Sequence, residues 1–185
     1  AGEEAEKKLE SNPEQVLKES KSRLSEYDLL DMMVLFPGGE EIKQAAWEVS
    51  SIVLKQAIAR MEDSDDKPVD FSEIRGCTIT FPASFPYTAL GLTKRAANLV
   101  DELKKLNENE RLHFLPEPIA AFIGMLESEG RSEFQNGDTV LVVDIGAGTT
   151  DTTIIEIEEM GDSFPTLKIL EVGDHVLQGG NNYDR

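Results

Sequence analysis

Asp144, Gly146, Gly148, Thr149 and Asp151 fall within one short stretch, "DIGAGTTD", set between the apolar run "VLVV" and the alternating run "TTIIEI". Glycines leave the backbone N–H groups of such a loop open to an oxyanion and permit positive φ. Thr149 adds a hydroxyl donor. Carboxylates on either side of the loop suit magnesium, an ion that keeps several of its waters and takes few direct protein ligands. The pattern D-x-G-x-G-T-x-D therefore points to a phosphate cradle with its metal. The plain alternative is a hairpin whose turn happens to be polar.

A loop of this kind needs strands to hold it. Val140–Asp144 reads as a buried strand, Thr150–Ile157 as an alternating one and Leu167–Val172 as a third, which together predict an antiparallel meander. Upstream, "CTITF" is a strand stopped by Pro82, followed by a helix over about Tyr87–Val100 and by "DELKKLNENER" as a polar helix end and loop. "LHFLPEP" is a short strand, and Pro118 opens a helix that ends near Gly130. Apolar residues recurring every three or four positions (Ile42, Ala46, Val49, Val53, Ala57, Met61) predict one long helix over Glu40–Met61. Asn12, Pro13 and Gln15 are placed to begin an earlier helix. Strands and helices alternate, so the fold class is α/β with a mixed sheet.

The chain has 185 residues and one cysteine, Cys77, which excludes an internal disulfide and a cysteine-built metal site. Thirty-six acidic side chains against 18 basic ones leave a formal charge of −18, the wrong sign for gripping a nucleic-acid backbone. A nucleotide remains compatible, since magnesium and a few lysines offset its charge locally. No apolar run approaches the roughly 20 residues of a membrane-spanning helix. Trp47 and Cys77 read as core, and His113 and His175 as structural or surface residues without a metal pattern. The chain opens inside a helical pattern without Met and stops just after a loop, so it is expected to be a central piece of a longer protein.

Five stretches in the same order resemble the nucleotide-binding (ATPase) domain of the 70-kilodalton heat-shock (DnaK-type) chaperones, within the actin-like ATPase superfamily that also holds actin and the sugar kinases. "VVDIGAGTTD" resembles the second phosphate loop of that fold. "CTITFPASF" with "TKRAANL" resembles a V-P-A-Y-F segment followed by T-K-D-A, and "LPEPIAAFIGM" an N-E-P-T-A-A segment. "VGDHVLQGGNNYDR" resembles a G-D-x-x-L-G-G-x-x-F-D loop, and "NPEQVLKESKSRL" an N-P … K-R-L helix. The resemblance covers about Gly2 to Arg185.

It implies an actin-like (ribonuclease H-like) fold present in part, with 1–70 as the peripheral helical part of lobe I, 71–132 as its core segment and 133–185 as the start of lobe II. It also implies roles. Lys21 would reach the γ-phosphate and the attacking water, where a cation offsets developing charge. Glu117, between Pro116 and Pro118, would orient water near magnesium; otherwise it is an ordinary acid at a helix N-terminus. Asp144 would hold magnesium through water, and Asp151 is the second aspartate of the loop, orienting water with Glu117. Gly146, Ala147, Gly148 and Thr149 would face the phosphates, and Gly179 and Gly180 the phosphate and ribose side.

The chain also departs from the family. Ala147 replaces a glycine, Asn181 and Asn182 stand where acids are usual, and the connections around 62–75 and 101–112 are enlarged. The opposing D-x-G-T-T loop is absent from the sequence. ATP or ADP and magnesium are thus the expected ligands of a complete parent ATPase, with co-chaperones and unfolded clients as partners, and a cytoplasmic location. The piece in hand is expected to be inactive alone. An actin-like cytoskeletal or division ATPase, or a scaffold of the same fold without catalysis, remains an open alternative.

Overall fold

A computed structural model describes residues 24, 32–35, 42–64, 67–146, 150–161, 164–174 and 176. The elements are β1 (Met32–Leu35), β2 (Ile42–Ala45), α1 (Ala46–Glu62), a 3₁₀ turn (Phe71–Glu73), β3 (Cys77–Phe81), α2 (Tyr87–Asn98), α3 (Asp101–Glu108), β4 (Leu112–Pro116), α4 (Glu117–Glu129), β5 (Thr139–Ile145), β6 (Thr150–Glu159) and β7 (Thr166–Val172). The α/β class holds. Hydrogen bonding groups the strands into sheets β1-β2, β3-β4 and β5-β6-β7. The predicted helix over Asn12 lies outside the described residues.

Two compact units share the chain. The first draws on Ala1–Cys77 and Pro86–His113, the second on Thr78–Phe85 and Phe114–Arg185. In the first, the long helix expected from Glu40 begins only at Ala46, because Ile42–Ala45 pairs antiparallel with β1 in the register Met32↔Ala45. The Glu48 carboxylate accepts the Ala45 N–H at 3.0 Å, which satisfies a donor at the helix start. Ala46, Val49 and Ile58 are buried, whereas Val53 and Met61, counted in the predicted stripe, are exposed. Helix α2 buries Ala89, Leu92, Ala96 and Ala97, a 3.6-residue repeat that packs on α1.

Where the polar end of the preceding helix and a loop were expected after α2, the chain makes a separate second helix. Val100 takes an extended conformation and is fully buried, which breaks α2. Asp101 and Glu102 then occupy the first turn of α3, where acids favour the helix dipole, and Leu103 and Leu106 turn inward. Trp47 and Cys77 are only half-buried, and the Arg95 guanidinium lies 4.2 Å over the Trp47 ring. His113 is exposed.

The second unit is organised by β5-β6-β7, an antiparallel meander as predicted. Burial alternates along β5 and along β6 as far as Ile157, so each strand has one inward row. Strand β5, expected to be a buried strand, exposes Leu141, Val143 and Ile145 on its other face, because α4 covers only one side of the sheet. Ile155 and Ile157 of that row, with Val140 and Val142 beside them, meet Ile119, Phe122 and Leu126 from one face of α4. Phe122 and Phe134 stack edge to face at 5.4 Å and 89°. Helix α4 therefore covers one face of the meander, and its N-terminus follows directly from β4 at Pro116.

Candidate functional site

The alternation that buries Val140 and Val142 on β5 carries on to Asp144, and the alternation that buries Ile157, Ile155 and Thr153 on β6 carries on to Asp151. The register pairs Asp144 with Asp151 directly. Cross-strand partners project to the same face, so two acidic side chains stand side by side at the loop end of the sheet. Asp151 is buried at 6% exposure and Asp144 is half-buried. Like charges directly opposite each other destabilise a sheet. A cation or a set of hydrogen-bond donors at this place offsets that cost.

One donor comes from far away in sequence. The Ser84 hydroxyl donates to Asp151 Oδ1 at 2.9 Å, across 67 residues of chain. Ser84 lies in the turn after β3, closed by the Phe85 N–H donating to the Pro82 carbonyl at 3.0 Å. Next along the same inward row, the Thr153 hydroxyl is buried at 1% exposure with no hydrogen-bond partner among the described residues. Sequence reasoning missed both residues. Nothing local to Ser84 says that it meets Asp151, and Thr153 reads as one more residue of an alternating strand.

The other flank of β6 carries the second expected loop. The Gly173 N–H donates to the Thr152 carbonyl at 2.8 Å, and Thr150 and Val176 exchange backbone hydrogen bonds of 2.9 and 3.2 Å. A Cβ on Gly173 would sit 2.1 Å from Thr152 Oγ1, so glycine is what lets the two backbones come this close. The segment that begins at Gly173 and the segment that ends at Thr150 thus reach the same end of the sheet, on either side of β6.

Glu117 is half-buried in the first turn of α4, between a strand end and Pro118. Gly146 follows β5 directly. Lys21, Ala147, Gly148, Thr149, Gly179 and Gly180 lie outside the described residues, as do His175, Asn181 and Asn182. Among the described residues no three His, Cys, Asp or Glu side chains converge to hold a metal. The donor set is therefore a facing pair of acids, which fits an ion held largely through its own waters rather than one demanding a full protein cage. No described helix is long and apolar enough to cross a membrane.

The arrangement defines an α/β unit with paired acids at a glycine loop between antiparallel strands. Over 139 residues, 75% of its length, the chain is 33% identical to a chaperone protein HscA homolog of Acinetobacter baumannii strain ATCC 17978. It is 32% identical over the same length to the homologs of strains AYE and ACICU. No family model matches. The matched segment spans 19% of each of these relatives. This homology supports the 70-kilodalton heat-shock family for the chain, in line with the resemblance read from its motifs.

Proposed function

We propose that this chain carries one phosphate-binding half of the nucleotide-binding portion of an ATP-hydrolysing heat-shock-type chaperone, on an actin-like fold. In this reading 1–70 and 71–132 contribute to one lobe and 133–185 to the other. The observation that carries it is the register Asp144↔Asp151 at the end of a strand–glycine loop–strand unit, with the Gly173 segment brought to the same sheet end.

Each group then has a job. Asp144 would hold magnesium through water, and the ion when bound supplies charge neutralisation on the phosphates. Asp151 and Glu117 would orient the attacking water and take up its proton. Lys21 would offset charge that develops on the transferring group. The backbone of Gly146, Ala147 and Gly148, with Thr149, would donate to the phosphates, and Gly179 and Gly180 would admit the nucleotide without side-chain hindrance. Clients, co-chaperones and a cytoplasmic setting follow from the chaperone reading.

Steady-state ATP hydrolysis by the full natural gene product tests this. Asp151→Asn should lower kcat about a hundredfold, the scale for loss of a positioned acid–base group. Asp144→Asn should raise the magnesium concentration needed for half-maximal rate. Wild-type rates in both variants would refute the assignment. The 185-residue chain alone, which has no D-x-G-T-T loop, should bind ATP more weakly than micromolar by titration calorimetry. Tighter binding would refute the division of the site between two loops.

A further inference from the structure

The Ser84–Asp151 contact joins the turn after β3 to the acid that the reading above makes a water-orienting group. We propose that Ser84 is a positioning residue that fixes the Asp151 carboxylate, a role that rests on the proposed function only for its catalytic consequence. Strand pairing sets the direction of the Asp151 Cα–Cβ bond but neither its χ1 rotamer nor its broad, roughly two-fold χ2 torsion. A hydroxyl donor at 2.9 Å on Oδ1 selects the rotamer and turns the carboxylate plane within it.

The donor is itself held. Pro82 is buried and precedes the turn, the Phe85 N–H closes it on the Pro82 carbonyl, and Pro86 follows before α2 begins at Tyr87. Ala83 and Ser84 are the two central residues of that closed turn, so the Ser84 backbone is already ordered and less entropy is lost when the bond forms.

Two measurements on Ser84→Ala and Ser84→Thr test the role. In the labelled 185-residue chain, three-bond couplings about Asp151 χ1 and the Asp151 carboxyl-carbon shift at one pH report side-chain order. Wild type should show one conformer, Ser84→Ala averaged couplings and a displaced carboxyl resonance, and Ser84→Thr a return toward wild type. The methyl resonances of Ile155 and Ile157 should stay in place, which separates lost positioning from lost folding. In the full gene product, Ser84→Ala should lower kcat about tenfold with KM for ATP within about twofold, since a misplaced group costs rate more than binding; Ser84→Thr should recover most of it.

Identical Asp151 couplings and carboxyl shift in wild type and Ser84→Ala would overturn the proposal. So would a KM that rises with kcat unchanged. If the wild-type protein neither binds nor hydrolyses ATP, the functional reading fails. The couplings still decide whether Ser84 fixes Asp151.

Discussion

Thr153 offers a sharp test of how the inward row of β6 is built. Its hydroxyl is buried at 1% exposure beside Ile155 on one side and Asp151 on the other, and it has no hydrogen-bond partner among the described residues. Burying an unpartnered hydroxyl costs roughly 1–3 kcal/mol on the scale of protein mutational data. Thr153→Val exchanges that hydroxyl for a methyl group of nearly the same shape, keeps the β-branched stem that suits a strand, and opens no cavity. The substitution should therefore stabilise the second unit by about 1–2 kcal/mol, the lower part of that range because the wild-type side chain relaxes somewhat. Thr153→Ser keeps the hydroxyl and deletes the methyl, and should destabilise by about 1 kcal/mol.

Native-state amide exchange at Val142, Ile155 and Ile157 reads this unit separately from the other. A gain of about 1.4 kcal/mol appears there as roughly tenfold higher protection. Lower protection in Thr153→Val than in wild type would refute the reasoning, since it would mean that the hydroxyl has a partner. Stabilisation with loss of ATP hydrolysis in the full protein would have a different meaning. The hydroxyl would then be an uncompensated polar group kept at a working site, the kind of stability cost that functional positions tolerate.

Two further outcomes follow from close geometry elsewhere. Gly173→Ala places a Cβ 2.1 Å from Thr152 Oγ1 and should cost about 1–3 kcal/mol, the range for overpacking; Thr152→Ala in the same chain should recover part of it, and strict additivity in that double-mutant cycle would refute the clash. Burial pushes the Cys77 thiol above its ordinary range. The folded state then favours the protonated thiol, so the stability tied to it is present below the unfolded thiol's value near 8.5 and is lost as pH rises through the folded one. Iodoacetamide should label Cys77 more slowly than a free cysteine at pH 7.5, with a rate that climbs only at more alkaline pH. A labelling midpoint at or below that of the free thiol would contradict this.

Much of the second unit was legible in the chain because its signals are local. The stop at Pro82, the helix start at Pro118, the alternation in β6, and the glycine loop between two aspartates each depend on neighbours in sequence. The first unit was less legible where two local signals competed. Residues 42–45 carry a helical apolar pattern yet pair as a strand, because β1 supplies hydrogen-bond partners that periodicity does not count. The segment from Asp101 reads as a polar tail, yet two leucines in register with buried Val100 make it a separate helix.

The sequence by itself determined which residues have the chemistry for a phosphate loop, and that Asp144 ends one strand and Asp151 opens the next. Tertiary structure decided what those acids meet. Register set them opposite each other, a turn 67 residues upstream delivered the Ser84 hydroxyl to Asp151, and the closeness of Gly173 to Thr152 brought a second loop to the same sheet end. The physical reason is range. Periodicity and turn chemistry act over a few residues, whereas a hydrogen bond between distant segments exists only once the packed core has brought them together.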